Sequence, residues 1–259
     1  MDQVDVVINS DARTTPSTFL GWPRDRIFHD VLGWGQADFD APIGHLSGED
    51  RALLYARYNQ PGHIDELCHA FGTLFEASEL VGRPTILDLG CGPFTAGLAL
   101  AAVLGSHRPF RYYGVDRSRA MLQLGRVFAE DARFRGALDP STTYDFVDGM
   151  DKLEVGPIRA DLTLVVASYL LASPTLDVDT LVREIMLTLV RIGPGPAAVL
   201  YTNSADPRAR AQFPTFRDQL CSGGFQARVD EEERFEGTRR PRRLHYALFF
   251  RPANVAIDL

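Results

Sequence analysis

The segment TILDLGCGPFTAG (residues 85–97) places the strongest constraint on the fold of this chain. It begins with the short apolar run TILDL, which is typical of a buried strand. Gly90 and Gly92 then allow a tight turn in which the backbone can approach a ligand closely, because no Cβ intervenes. An apolar helix is predicted from 95 to 105. This order of strand, glycine turn and helix predicts a parallel sheet with a ligand at the carboxyl ends of its strands.

The chain after this segment continues to alternate strands and helices. Further strands are predicted at 110–116, 142–149, 161–168 and 197–203. Helices are predicted at 118–131 and 178–192, and from the Asp206-Pro207 pair to about Cys221. The last stretch predicts a hairpin of 227–235 and 243–251. The predicted fold class is therefore α/β, with a doubly wound, mostly parallel seven-stranded sheet and an antiparallel C-terminal hairpin.

The first fifty residues have a different character from the rest of the chain. They are rich in Gly, Pro and Asp, show little periodicity and predict an irregular arm. Five large aromatic residues lie in it: Phe19, Trp22, Phe28, Trp34 and Phe39. An arm with so many large aromatic side chains is expected to pack against another part of the protein or a second molecule. It covers its own domain, forms a lid over a substrate site, or contacts a second copy in a homodimer.

Two helices are predicted between this arm and the first strand. Ser47 and Asp50 resemble a capping box at the start of the first helix. Pro61-Gly62 is expected to break that helix, and a second amphipathic helix is predicted from 63 to 81. We therefore expect an N-terminal arm and helical cap at residues 1–83 and a ligand-binding core at 84–259.

Two acidic residues at strand ends separate two classes of ligand. Asp88 lies two residues before Gly90, and Asp116 ends the second strand, where a carboxylate can accept hydrogen bonds from both ribose hydroxyls. A dinucleotide site requires a third glycine where this chain has Thr95, and Asp88 would repel its pyrophosphate. The carboxylate of Asp88 would instead attract the cationic amino group of S-adenosylmethionine (SAM). Charge favours SAM, and an NAD-dependent oxidoreductase is the alternative.

The run LDLGCGPFTAGLALA, together with YYGVD, resembles the class I SAM-dependent methyltransferases over about residues 84–251. The resemblance rests on the Asp-x-Gly-x-Gly turn, the acidic end of the second strand and the closing antiparallel hairpin. It implies a Rossmann-like fold, SAM as the cofactor, S-adenosyl-L-homocysteine (SAH) as the product, and transfer of a methyl group. Many members have a third glycine where this chain has Phe94, which is expected to narrow the cofactor pocket.

The resemblance also implies which residues bind the cofactor. They are Asp88, Gly90, Cys91, Gly92, Asp116, Arg117, Asp148, Gly149, Met150 and Ser168. Asp88, Gly90 and Gly92 would line the methionine part, and Asp116 would hold the ribose. Arg117 and the residues after the third strand would border the adenine, whose N6 has either Asp148 or Asp151 as its partner. Ser168 follows the fourth strand, near the transferred methyl.

Catalytic residues are harder to predict, because methyl transfer from a sulfonium mainly requires alignment and exclusion of water. A base is needed only if the acceptor is protonated. Tyr169 follows the fourth strand and is one candidate; packing at the strand end is its alternative role. Tyr58 is preferred to Tyr55, because the turn after it would fold back over the site. His63 is a candidate base at neutral pH, or else a surface or capping histidine.

Net charge limits the expected partners. The chain has 27 basic and 34 acidic residues and a net charge of −7, which disfavours binding to a nucleic acid backbone. We therefore expect a small-molecule acceptor; the alternatives are a SAM-binding protein without catalytic activity and an RNA methyltransferase. The acidic residues 231–233 precede arginines at 239, 240, 242 and 243. Either these charges neutralise one another, or the arginines bind a phosphate or a carboxylate.

Other sequence features favour a reduced, cytoplasmic protein. The three cysteines are far apart, and neither a Cys-x-x-Cys pair nor a His-Glu-x-x-His motif is present, so no metal site is expected. No apolar run is long enough to span a bilayer, and the first residues do not have the pattern of a signal peptide.

Overall fold

The computed structural model describes residues 2–75, 82–155, 161–237 and 241–253, and it begins with a helical region. This region contains α1 (Asp2–Ser10), α2 (Gly48–Tyr58) and α3 (Gln60–Leu74). A small hairpin of β1 (Thr18–Phe19) and β2 (Trp22–Pro23) lies between α1 and α2. The predicted capping box of α2 is present, since Ser47 and Asp50 each accept a hydrogen bond from the other's backbone N–H.

Two features of this region differ from the prediction. Residues 2–10 are helical rather than irregular, and Val4 and Ile8, one turn apart, are buried on the inner face. Pro61 does not break a helix but lies in the first turn of α3, where its missing N–H leaves no bond unmade. The predicted end of this helix falls in residues 76–81, outside the described residues.

Seven strands form the main sheet. They are β3 (Thr85–Leu89), β4 (Arg111–Val115), β5 (Thr143–Val147), β6 (Thr163–Ser168), β7 (Ala197–Ser204), β8 (Gln226–Phe235) and β9 (Arg242–Arg251). Their order across the sheet is β5-β4-β3-β6-β7-β9-β8. Strands β3 to β7 are parallel, and β9 is antiparallel to both β7 and β8. The predicted doubly wound sheet with an antiparallel C-terminal hairpin is confirmed.

Helices cover both faces of this sheet. The remaining helices are α4 (Thr95–Leu104), α5 (Arg119–Phe134), α6 (Val178–Ile192) and α7 (Phe213–Ser222). One core lies between the sheet and α3, α4 and α5, and a second lies between the sheet and α6 and α7. Successive strand residues point to opposite faces, so Ile86 joins the first core and Leu87 the second.

Helix α7 begins later than predicted. The carboxylate of Asp206 accepts a hydrogen bond from the N–H of Arg208 and closes a local turn instead of capping a helix. The helix begins at Phe213 and has Pro214 in its first turn. An aspartate makes the same kind of bond in a turn and at a helix start, which is why the sequence pattern is ambiguous here.

The N-terminal region has a core of its own that packs on α5. Ile8, Ile27 and Leu54 are fully buried in it, and α5 contributes Ala120 and Met121. Because α5 follows the strand that ends at Val115, this packing brings the N-terminal region to the carboxyl edge of the sheet.

No helix among the described residues is long and apolar enough to cross a membrane. The same part of the chain contains no group of three or more His, Cys, Asp or Glu side chains that could hold a metal ion.

The side chain of Phe94 lies in the core. Its backbone is left-handed, with φ of 66°, and its fully buried ring contacts Tyr112 edge-on, with 4.7 Å between the ring centroids. The ring occupies the space where a Cβ at Gly97 would lie. The expectation that Phe94 narrows the ligand pocket is wrong, because its ring packs in the core and lines neither of the two cavities at the carboxyl edge of the sheet.

Gly97→Ala is expected to destabilise the protein by about 1–3 kcal/mol, because the new methyl group would displace the Phe94 ring in a packed core. Gly72→Ala is the matched control. It lies in α3, where the added methyl group would meet no neighbouring atom, and it should stabilise the helix by about 0.5–1 kcal/mol. Urea unfolding measures both free energies; equal effects would contradict this packing.

Candidate functional site

A cavity of about 370 Å³ lies at the carboxyl edge of the sheet. Residues that follow β3, β4, β5 and β6 form its floor and walls, and residues of the N-terminal region cover it. Its size lies within the range of about 300–1,000 Å³ that is usual for small-molecule sites. Ligands of doubly wound sheets bind at this edge, so the position agrees with the expectation from the fold.

The carboxylate of Asp116 joins two parts of this cavity. One oxygen accepts a hydrogen bond from the N–H of Gly92, at 2.9 Å, and the other accepts one from the N–H of Ser118, also at 2.9 Å. Burial raises the pKa of Asp116, although these two bonds oppose the rise. Each oxygen can accept a further hydrogen bond, so this carboxylate can bind the hydroxyl groups of a ligand.

The glycine turn has the conformation that its sequence predicts. Gly90 and Gly92 have φ of 68° and 51°, and Gly92 faces the ring of Tyr55. A side chain at Gly90 would meet Leu170. The thiol of Cys91 does not line the main cavity; it is buried, packs beside Gly114 and borders a smaller cavity.

Asp88 faces this smaller cavity, which has a volume of about 20 Å³. Tyr55, Gly90 and Ser168 line both cavities, so the two are adjacent. Asp88 is 2% exposed and accepts a hydrogen bond from the Tyr112 hydroxyl at 2.6 Å. No cation of the described residues acts on it, and burial raises its pKa to about 7. A positively charged group in the smaller cavity would compensate this carboxylate.

The residues expected around the adenine line the main cavity together. They are Arg117, Asp148, Gly149 and Met150. Asp148 pairs with Lys152 at 2.5 Å, and that hydrogen bond lowers its pKa. Of the two alternatives for the adenine partner, Asp148 lines the cavity and Asp151 does not.

Tyr169 lines the main cavity, His63 lines the smaller one, and their rings form a stacked pair. Their ring centroids are 4.2 Å apart, and Tyr169 has a left-handed backbone with φ of 57°. His63 is 7% exposed, so it is neither a surface nor an exposed capping residue, and its Nδ1 lies 3.3 Å from the Tyr55 hydroxyl. Burial, together with the charge of Arg242, lowers its pKa to about 3. The imidazole is therefore neutral at physiological pH and a weak base.

Tyr58 lies outside the site, and the preference for it over Tyr55 is wrong. Its hydroxyl donates a hydrogen bond to the carbonyl of Arg24, and it lines neither cavity. The preference assumed a loop after Tyr58, but α3 begins at Gln60 and leaves no loop to fold over the site. Tyr55 lines both cavities instead.

Several residues of the cavity wall were not expected from the sequence. They include Gln36, Phe39, Leu170, Leu181 and Glu184. Gln36 and Phe39 belong to a segment without periodicity, which gives no signal of its position. Glu184 lies on α6, whose apolar pattern identifies the helix but not its distance from a neighbouring strand end.

An ion pair between a buried glutamate and a partly exposed arginine lies near Tyr169 and was also not expected. Glu66 is 1% exposed and lies 2.7 Å from Arg242, and burial raises its pKa to about 7. Arg243 pairs with Glu232 in the same hairpin. The described part of the arginine run is thus paired with acidic residues, while Arg239 and Arg240 lie outside the described residues.

Comparisons with solved structures show a similarity of fold between this chain and known proteins. No protein-family model matches the chain, and no curated protein matches its sequence. A SAM-dependent methyltransferase from Methanosarcina mazei is 17% identical, with 65% of this chain and 92% of that chain covered and a TM-score of 0.43. Magnesium protoporphyrin IX methyltransferase from Synechocystis, solved with bound SAM, is 15% identical. The match covers 88% of this chain and 94% of that chain, with a TM-score of 0.46. The [4+2]-cyclase SpnF is 17% identical. The match covers 73% of this chain and 80% of that chain, with a TM-score of 0.45.

The raised pKa of Asp88 predicts a pH dependence of stability. The contribution of this carboxyl group to the free energy of unfolding is fully present below its usual pKa of 3.8. It is lost as the pH rises through about 7. Asp88→Asn keeps an acceptor for the Tyr112 hydroxyl but does not ionise. Relative to the parent, it should gain up to a few kcal/mol of stability between pH 5 and pH 8.5.

Urea unfolding at the two pH values measures this difference. Asp218→Asn, at an exposed carboxylate, is the control and should shift stability equally at both. If the curves of Asp88→Asn and its parent run parallel with pH, Asp88 does not carry the raised pKa.

Proposed function

We propose that this chain is a SAM-dependent methyltransferase that acts on a small-molecule acceptor. The observation that carries the proposal is a pair of carboxylates on either side of the glycine turn. Asp116 lies in the wall of the main cavity, and buried Asp88 faces the smaller one. The first suits a ribose and the second suits an ammonium group, and SAM carries both.

The ribose is expected to lie against Asp116. Two backbone N–H groups already orient this carboxylate, so it does not have to reorganise when hydroxyl groups bind. Arg117, Gly149 and Met150 then lie on the side where the adenine would be, and Asp148 offers an acceptor for its amino group.

The ammonium group of the methionine part is expected to enter the smaller cavity beside Asp88. A volume of about 20 Å³ accommodates one group the size of a water molecule, which an ammonium group is. Its charge would compensate a buried carboxylate that no cation of the described residues neutralises. The pyrophosphate of a dinucleotide would be repelled at the same place, which argues against NAD.

The acceptor is expected near the carboxyl end of β6. Tyr55, Ser168 and Tyr169 line this end of the cavity, and neutral His63, stacked on Tyr169, lines the smaller cavity. SAM supplies a methyl group that its sulfonium has already activated. The protein's part is to align the acceptor by hydrogen bonds and to exclude water. This uncharged set suits an acceptor that needs no strong base.

A small acceptor follows from how the cavity is covered. We propose that residues 1–83 act as a cap on the core of residues 84–259, since Gly35, Gln36, Ala37, Phe39 and Tyr55 close the cavity from the N-terminal side. A large acceptor would have to displace this cover. The net charge of −7 disfavours a nucleic acid acceptor in addition.

Binding of SAM and SAH is the first test. At a ligand concentration of about 100 Kd, either should stabilise the protein by about 2.7 kcal/mol, which raises the melting temperature by roughly 5–10 °C. Asp116→Asn should remove most of this shift, because it loses the charged acceptor for the ribose hydroxyls. Asp218→Asn, on the surface, should retain it.

The same measurement separates the alternatives. A shift with NAD but none with millimolar SAM or SAH would contradict the proposal. Formation of SAH with a panel of phenols, thiols and amines tests transfer itself. Binding without SAH formation across the panel favours a non-catalytic SAM-binding protein, and methylation of RNA alone would overturn the small-molecule acceptor.

A further inference from the structure

A short segment of the N-terminal region, residues 35–40, crosses the mouth of the cavity, and we call it the strap. Most of its residues line the cavity: Gly35, Gln36, Ala37 and Phe39. At one end, the side-chain amide of Gln36 donates a hydrogen bond to the carbonyl of Tyr169, just after β6. At the other end, Asp40 binds the first residues of α5. The strap therefore joins two strand ends that lie on opposite sides of the site.

The Asp40 end is held firmly. Its carboxylate accepts three hydrogen bonds, from the Ser118 hydroxyl at 2.8 Å and from the N–H groups of Arg119 and Ala120 at 2.9 and 3.0 Å. Bonds to a charged acceptor at a helix N-terminus are strong ones. The buried guanidinium of Arg51 also donates to backbone carbonyls on both sides of Asp40.

The Gln36 end is held weakly. The single hydrogen bond from its amide nitrogen to the Tyr169 carbonyl is 3.4 Å long and joins two uncharged groups. Such a bond is near the limit of useful length and contributes much less than a charge-assisted one. The two ends of the strap are thus anchored with very different strength.

Trp34, in the turn that leads into the weak end, has a strained backbone. Gly33, Trp34 and Gly35 have φ of 51°, 59° and 89°, three left-handed residues in succession. Tryptophan avoids this region because its Cβ collides with its own backbone. Burial does not hold Trp34 in place, since its side chain is 66% exposed and contacts Phe28 and His29 by their edges. Release of Gln36 would allow Trp34 to relax.

We propose that the strap is a gate to the cavity, which opens at Gln36 and pivots about Asp40. The inference rests on the proposed function in taking SAM and SAH as the ligands that pass. A ligand in the cavity contacts residues of the closed strap, so it binds the closed state better and shifts the population towards it. Opening at Gln36 would also free the carbonyl of Tyr169, which couples the gate to the wall of the acceptor site.

Trp34 is a direct reporter of this motion. The chain has two tryptophans, so Trp22→Phe leaves Trp34 as the only one. In this background, saturation with SAH should shift the emission of Trp34 and change its quenching by acrylamide. The same signal in a stopped-flow chase with excess SAM gives the dissociation rate of SAH.

Gln36→Ala removes the weak anchor and should raise the dissociation rate of SAH by roughly two- to tenfold, the effect of one uncharged hydrogen bond. Gln219→Ala is the matched control. Its amide also makes one side-chain hydrogen bond, to Asp179 at the start of α6, and neither residue lines the cavity, so the rate should not change. Melting curves of both variants verify that each remains folded.

Calorimetric titration with SAM and SAH distinguishes the failure of the gate from the failure of the function. If SAH binds but the emission of Trp34 does not respond and Gln36→Ala dissociates at the rate of Gln219→Ala, the gate is wrong and the function stands. If neither ligand binds, both proposals fall. A changed Trp34 signal together with a faster rate only in Gln36→Ala supports the gate.

Discussion

The carboxylate of Asp116 is the interaction on which the site depends. It accepts hydrogen bonds from Gly92 in the turn after β3 and from Ser118 at the start of α5, so it holds two neighbouring βα connections in one arrangement. Ser118 in turn caps α5 and binds Asp40 of the N-terminal region. A single chain of hydrogen bonds thus connects the glycine turn, the carboxylate of Asp116 and the strap.

A buried carboxylate that no cation of the described residues neutralises gives the site its chemical character. Ionising Asp88 inside the protein costs stability, and a protein has little reason to retain such a cost unless a ligand offsets it. The side chains near the end of β6 differ, because Tyr55 and His63 are buried and uncharged at neutral pH. One part of the cavity therefore suits a cation, and the other suits alignment of an uncharged group.

The N-terminal region completes the site instead of merely covering the core. Phe39 and Tyr55, with 5.3 Å between their ring centroids, form one wall of the cavity, and Gln36 reaches the carbonyl of Tyr169. The aromatic residues that made the arm unusual divide between two roles. Phe19 is buried in the N-terminal core, whereas Trp34 remains exposed on a strained turn.

The sequence by itself determined the order of strands and helices from residue 85 onward, the glycine turn and the acidic strand ends, because local periodicity and backbone conformation depend on neighbouring residues. Only the tertiary structure decided which side chains face the cavity. Tyr55 rather than Tyr58 reaches it, Phe94 turns into the core, and Gln36 crosses to Tyr169, 133 residues later. These outcomes depend on the packing of distant segments, and a linear pattern does not carry that information.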